Sequence, residues 1–228
     1  MIRFVKGLFK DWKVFEVVYL ISSLTIVVTL ALIFKSSWLS TVTSVFMLIT
    51  IVLLARGRLS SQFVSLLALF FYTWLSYTQN YFGEMIINIC IMFPTTIYGI
   101  VSWCKNSNGS SNFVKVGKIG KLETIILSIL SVVMFVAFYF LLGALGTSQL
   151  VVSTLSILAS FYASYLLARR SGLGFIFYII NDFILMVLWG IATFTVDFST
   201  LPMFVSVCLF TINDFYGFYN WKKQKKLQ

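Results

Sequence analysis

Two carboxylates interrupt apolar stretches in the C-terminal third of this sequence. Asp182 follows Asn181 in FYIINDFIL, and Asp214 follows Asn213 in FTINDFYGF. Charged side chains inside a membrane are costly, and by default they face a cavity or a partner. If these stretches cross a membrane, the two acids are therefore candidates for contacting a polar solute.

Asp182 shares its helix face with two aromatic rings. Phe175, Tyr178 and Asp182 are spaced i, i+3, i+7, which places them on one side of a helix. Aromatic faces attract cations and stack on flat heterocycles. This face is typical of a site for a flat ring that is cationic or rich in hydrogen-bond donors; the alternative is an aromatic packing stripe.

The two acids lie at similar depth, and their distances from basic residues separate their expected roles. At 1.5 Å per residue, Asp182 lies about 12 Å and Asp214 about 10 Å from the same membrane surface. Arg169 and Arg170, the basic residues nearest to Asp182, are more than three turns away, so we expect Asp182 to line a cavity. Asp214 lies a couple of turns above four lysines, and the alternative for it is pairing with them. In that stretch we expect Asn213 to contact the substrate.

Polar residues also occur in the stretch from 82 to 104. Asn88 and Pro94 interrupt it, and a proline inside a span predicts a kink with freed backbone groups. Glu84 opens the same stretch. It either complements the positive end of the helix dipole or serves at the outer mouth of a site.

The composition requires that these elements lie in lipid. Of 228 residues, 60% are hydrophobic and only 11% are charged, whereas a soluble domain has about a quarter. The chain has no histidine, and its three cysteines lie in or beside apolar runs, so no metal site or disulfide framework is predicted. Runs of about 20 apolar residues predict eight transmembrane helices at about 15–34, 38–55, 61–78, 82–104, 124–142, 150–168, 174–194 and 198–220.

The basic residues give the predicted orientation. Of 17 lysines and arginines, 16 fall in the termini and in every second loop, and only Lys35 lies on the other side. By the positive-inside rule both termini are cytoplasmic. The net charge of +10 is therefore a topology signal with at most a minor role toward anionic lipid, and nucleic acid is not an expected partner.

An internal repeat organises the spans. Span 4 ends in YGIVSW, which is followed by cysteine and lysine, and span 8 ends in YGFYNW, which is followed by lysine. Each closes a group of three spans, and both run in the same direction, which predicts a parallel repeat with the substrate site between its halves. We expect an extra N-terminal helix (1–37), a first three-helix bundle (38–104), a linker with a linking helix (105–149), and a second bundle with a basic tail (150–228). The alternative for Trp103 and Trp221 is that they are ordinary interfacial aromatics.

Residues 38–221 resemble the PnuC-type bacterial vitamin transporters. The resemblance rests on YFGEMIINICIMFPTTIYGIVSW, LARRSGLGFIFYIIND and FTINDFYGFYNW. The family's Trp-x-x-Trp-x-x-x-(Asn or Asp) substrate motif falls on Phe175, Tyr178 and Asp182. The resemblance likewise matches Asn88 and Asn213 to polar site residues, and it implies a SWEET-like fold, often as a homotrimer.

The resemblance implies facilitated diffusion of nicotinamide riboside across the bacterial inner membrane, with trapping by a cytoplasmic kinase and no cofactor. Because smaller aromatic residues stand at both tryptophan positions, thiamine, riboflavin and deoxynucleosides stay open as substrates. A membrane assembly protein and an intramembrane enzyme are the other classes considered; the sequence has no HExxH or serine catalytic motif. The candidate substrate-binding residues are Phe175, Tyr178, Asp182, Asn88, Asn213, Trp189, Tyr98 and Tyr216.

Overall fold

The computed structural model describes residues 12–78, 82–107, 114–147, 149–196 and 198–228. Eight long helices account for most of this part of the chain. They are α1 (Val14–Ile33), α2 (Trp38–Ala55), α3 (Ser60–Thr78), α4 (Phe82–Ile87 and Phe93–Lys105), α5 (Lys121–Ala144), α6 (Leu150–Ala168), α7 (Gly174–Ile191) and α8 (Leu201–Lys226). The predicted all-α membrane fold with eight helices is confirmed.

Helix α4 is interrupted where the sequence predicts a kink. A π-helical turn, Asn88–Met92, joins its two segments and ends two residues before Pro94. Proline lacks a backbone N–H and cannot complete the regular hydrogen-bond pattern, so the wider turn absorbs the mismatch. The Thr95 hydroxyl donates to the carbonyl oxygen of Ile91 at 2.6 Å, which satisfies one backbone group of that turn.

Seven of the eight helices are long and apolar enough to cross a membrane, and α3 is the exception. Its polar residues Ser60, Ser61 and Gln62 are buried against the rest of the protein. The opposite face exposes large apolar side chains at a regular three- or four-residue spacing: Phe63, Leu67, Phe70, Trp74 and Tyr77. Helix α3 therefore has one face suited to lipid and one polar face turned inward, which lowers its mean hydropathy.

The helices pack as two similar groups. Helix α3 packs against α2 and α4 in the first group, and α7 packs against α6 and α8 in the second. Between the groups, α2 contacts α8 and α6 contacts α4. Helix α1 packs on α2 and α8, and α5 packs on α6. The division of the chain into four domains stays a prediction.

Helix α8 is fastened to the C-terminal end of α2 by side-chain hydrogen bonds. The amide nitrogens of Asn213, Asn220 and Gln224 donate to the carbonyl oxygens of Ile51, Ala55 and Arg56 at 3.0, 2.9 and 3.1 Å. The last carbonyls of a helix lack partners within it, and Asn220 and Gln224 supply partners for those of Ala55 and Arg56. These bonds fix the rotation of α8 about its axis.

The two tryptophans of the repeated motif are buried between the helices at one end of the bundle and do not face lipid as interfacial anchors. Trp103 and Trp221 are 0% and 1% exposed, with ring centroids 5.6 Å apart. The Trp103 indole N–H donates to the carbonyl oxygen of Leu167 at 2.9 Å, and that of Trp221 donates to Leu54 at 3.0 Å. Each tryptophan thus joins the last helix of one group to the other group. We call the end of the bundle that holds this pair, with Arg56 and Arg169, the basic end.

Two Glu–Arg pairs lie around the tryptophans at the basic end. Glu16 near the start of α1 accepts from the Tyr216 hydroxyl at 2.7 Å and lies 3.4 Å from Arg56, which caps α2. Glu123 near the start of α5 accepts from Arg169, which caps α6, at 2.9 Å. Hydrogen bonding to Glu123, and less strongly to Tyr98, raises the pKa of Arg169 above its usual range despite partial burial.

The two motif glycines are expected to tolerate alanine unequally. A Cβ at Gly217 would lie 2.5–2.9 Å from three ring atoms of Phe175, which is fully buried. At Gly99 the closest atom would be Gln62 Oε1 at 2.7 Å, the end of a flexible side chain. We expect Gly217→Ala to lower the free energy of unfolding by about 1–3 kcal/mol through overpacking, and Gly99→Ala by less. Thermal unfolding of both purified variants measures this, and a larger loss for Gly99→Ala would contradict it.

Candidate substrate site

A cavity of about 150 Å³ lies between the two groups of helices. Residues of α2, α3 and α4 line one side, and residues of α6, α7 and α8 line the other. Two apolar clusters border it. One includes Leu54 with Trp103, Phe175 and Trp221 toward the basic end, and the other includes Tyr72 with Met203 and Phe210.

Helices α6, α7 and α8 form a strongly polar wall. Tyr178, Asn181 and Asp182 reach the cavity from α7, and Asp214 reaches it from α8. Asn181 accepts a hydrogen bond from the Ser156 hydroxyl at 2.9 Å, which orients its amide. Asp182 is buried, and its Oδ2 atom has no hydrogen-bond partner. A buried carboxylate oxygen without a partner is costly, and a donor or cation in the cavity would relieve that cost.

The opposite wall carries a third carboxylate. Glu84 of α4 is within reach of Tyr72 on α3, whose hydroxyl donates to its Oε2 atom at 3.2 Å. The other carboxylate oxygen of Glu84 is buried without a partner, and so is the amide nitrogen of Asn88. The π-helical turn begins at Asn88, so this irregular backbone coincides with the cavity wall.

Ionised side chains of the lining can have only a negative charge. Glu84, Asp182 and Asp214 contribute carboxylates, whereas none of the described lining residues is a lysine or an arginine. Negative charge focused in a low-dielectric cleft favours a cation. Within the described ranges, no group of three Cys, Asp or Glu side chains is arranged to hold a metal ion.

Of the predicted site residues, Asn88, Tyr178 and Asp182 line this cavity. Phe175 instead packs in the cluster at the basic end, with its ring centroid 5.8 Å from that of Trp221. The Asn213 amide is used by α8 to bind the Ile51 carbonyl oxygen.

The other three predicted residues lie away from the cavity. Trp189 is buried in the apolar cluster at the opposite end of the protein. Tyr216 donates to Glu16 and Tyr98 approaches Arg169, so both belong to the Glu–Arg pairs at the basic end. Spacing along the sequence does not place these three beside a solute.

Two of the three cavity carboxylates have roles that the sequence leaves open. For Asp214 the sequence leaves open a contact with the solute or pairing with the lysines at the end of α8. In the structure Asp214 is buried and lines the cavity, while Lys222 and Lys223 are exposed. Glu84, interpreted as a helix-dipole partner or an outer-mouth residue, also lies on the cavity wall. Asn181 is a further lining residue. The signal in the sequence for a cavity-lining carboxylate is an acid inside an apolar stretch, and it applies to Asp214 as much as to Asp182.

Comparison with known proteins agrees with this arrangement. The profile of the family described as "Nicotinamide mononucleotide transporter" matches residues 37–223. The chain belongs to this PnuC-type transporter family. The match includes both groups of three helices and all three cavity carboxylates. The protein is thus a multi-pass membrane transporter of a small molecule, and the intramembrane enzyme alternative is excluded by its family.

The alignments with relatives cover nearly the whole chain. The nicotinamide riboside transporter PnuC of Neisseria mucosa is 25% identical over 97% of this chain and 86% of its own length. That of Haemophilus influenzae is 24% identical over 98% of this chain and 95% of its own. A crystal structure of the vitamin B3 transporter PnuC superposes with a TM-score of 0.85 at 24% identity, covering 98% of this chain and 97% of the other. This similarity establishes the fold.

Proposed function

We propose that the protein mediates facilitated diffusion of nicotinamide riboside across the bacterial inner membrane. The observation that carries the proposal is a cavity with three carboxylates and no basic side chain among its described lining residues. Nicotinamide riboside carries a fixed positive charge on its pyridinium ring. Two relatives that match nearly the whole chain are named for this substrate.

The same charges argue against the phosphorylated form in the family's description. A nucleotide phosphate is an anion, and proteins bind it with arginine, lysine or helix N-termini. Here a phosphate would face Glu84, Asp182 and Asp214. Nicotinamide riboside, which has no phosphate group, would enter and then be phosphorylated in the cytoplasm. The cavity would repel the phosphorylated product, and the vitamin would therefore be trapped inside. This makes a cytoplasmic kinase the expected functional partner.

Tyr178 is the aromatic residue of the predicted motif that lines the cavity, and we assign ring stacking to it. Asp182 balances the pyridinium charge, and Asn88 and Asn181 offer amides to the ribose hydroxyls. Thiamine, whose thiazolium ring is also cationic, is the second candidate because the same lining suits it. Riboflavin and deoxynucleosides lack the positive charge that the carboxylates favour.

Two further features of the proposal are the orientation of the protein in the membrane and its oligomeric state. The 16 basic residues on one side support a cytoplasmic location of both termini, and in this proposal the basic end faces the cytoplasm. A homotrimer is proposed from the family resemblance. The chain exposes large apolar side chains on α3 and α5, such as Phe70 and Val132, which suit either lipid or a neighbouring subunit.

A binding panel on the purified protein tests the substrate. We expect nicotinamide riboside to bind at least about tenfold more tightly than nicotinamide mononucleotide, since phosphate brings like charges together in a closed cavity. Isothermal titration with both compounds and with thiamine, riboflavin and a deoxynucleoside measures the order. Equal or tighter binding of the mononucleotide would reject the proposal. Tightest binding of thiamine would replace the riboside by the second candidate.

Uptake into protein-containing liposomes tests the mechanism. Facilitated diffusion brings labelled riboside to equal concentrations on both sides, and an ion gradient does not change that end point. Liposomes without protein are the control. Accumulation above equilibrium under an ion gradient would contradict facilitated diffusion.

A further inference from the structure

We propose that Trp103 and Trp221 form the gate between the substrate cavity and the basic end of the transporter. Both rings are buried, and they meet with centroids 5.6 Å apart at an angle of 51°. Phe175 lies against Trp221 and fills the space on the cavity side of the pair. The pair and Phe175 together form a continuous apolar plug, and a solute cannot pass while it is closed.

The hydrogen bonds of the pair tie the two helix groups together reciprocally. Trp103 at the end of α4 donates to Leu167 at the end of α6, and Trp221 in α8 donates to Leu54 at the end of α2. Each bond crosses from one group to the other. Any movement that separates α4 from α6, or α8 from α2, at the basic end must break one of them.

A small second cavity leads from the substrate cavity toward this pair. It has a volume of about 30 Å³, and Leu54 and Tyr178 belong to the lining of both cavities. Its wall also includes Leu167, so both residues whose carbonyl oxygens accept the tryptophan bonds line it. Gln62, Thr96 and Ser164 add polar side chains to it, which suits a passage for a hydrated or hydroxyl-bearing solute.

The Glu–Arg pairs surround the gate at equivalent positions. Glu16 and Arg56 join the first helix and the second helix of the chain to Tyr216 of α8. Glu123 and Arg169 form the corresponding contact in the second half. Opening the basic end by separating α8 from α2 would therefore also strain the first of these contacts.

Access of a thiol reagent to the small cavity tests the gate. The probe is Ser164→Cys, placed in a chain in which Cys90, Cys104 and Cys208 are replaced by alanine. Trp221→Phe keeps the aromatic packing and removes the N–H donor. We expect it to raise the rate at which a membrane-impermeant thiol reagent modifies the probe from the basic end by about fivefold, the effect of losing one hydrogen bond.

The matched control is Trp74→Phe, because this tryptophan of α3 is 44% exposed on the lipid-facing side. It should leave the rate unchanged. If Trp221→Phe does not fold, as thermal unfolding would reveal, Trp103→Phe applies the same test at the equivalent bond. Unchanged modification in a folded gate variant, an equal rise in the control, or a rise only from the opposite face would overturn the proposal. No substrate is used, so the outcome is independent of the riboside assignment.

Discussion

Replacing Asp182 by asparagine is expected to lower the affinity for nicotinamide riboside by at least about thirtyfold. Truncating one partner of a buried, hydrogen-bonded charge pair costs about 2–5 kcal/mol. Asp182 is buried, and its Oδ2 atom has no hydrogen-bond partner. Asparagine has nearly the same shape, so the loss reports charge and not a cavity left by a missing side chain.

Titration of the purified variant measures this effect, and the reduced, uncharged form of the riboside separates charge from shape. The uncharged form should bind Asp182→Asn and the parent protein about equally. Glu123→Gln is the control, because this carboxylate lies at the basic end outside the cavity. Parent-level affinity and uptake in Asp182→Asn would remove Asp182 from the site.

Arg56→Gln is expected to destabilise the fold far more than Arg169→Gln. The Arg56–Glu16 pair is buried, whereas the side chains of Arg169 and Glu123 are 29% and 21% exposed. Removing one partner of a buried pair costs about 3–5 kcal/mol because the other charge stays buried and uncompensated. A partly exposed pair is worth about 1 kcal/mol or less.

Unfolding of both variants in the same detergent gives the comparison. The double variant Glu16→Gln with Arg56→Met removes both charges, and it should recover part of the stability lost by Arg56→Gln alone. Equal losses for Arg56→Gln and Arg169→Gln would contradict the prediction. A double variant that is less stable than Arg56→Gln, by the full free energy that Glu16→Gln costs alone, would also contradict the prediction.

The fold was largely predictable from sequence because lipid leaves few options. Every backbone polar group in a bilayer must be satisfied internally, so long apolar runs become helices. The alternation of basic loops then fixed the number of helices. Local detail was harder to predict: Pro94 indicated a kink, but the π-helical turn at Asn88–Met92 depends on how α4 packs against its neighbours.

The site was predictable only in part because sequence gives the depth of a residue but not the rotation of its helix. Tyr178 and Asp182 reach the cavity, yet Phe175 on the same face lies one turn nearer the basic end, where Gly217 leaves room for its ring. Hydrogen bonds from Asn213, Asn220 and Gln224 of α8 to α2 set the rotation of α8. That rotation turns Asp214 into the cavity.

The equivalent positions of the two helix groups bear on how this transporter acquired its specificity. Counted from Arg56 and Arg169, which cap α2 and α6, Ser65 corresponds to Tyr178 and Leu69 to Asp182, and all four line the cavity. A transporter assembled from two identical chains would change both walls of its cavity with each mutation. Two helix groups in one chain do not have that constraint, so one wall can carry a ring and an acid while the other has small and apolar residues that leave space for a solute.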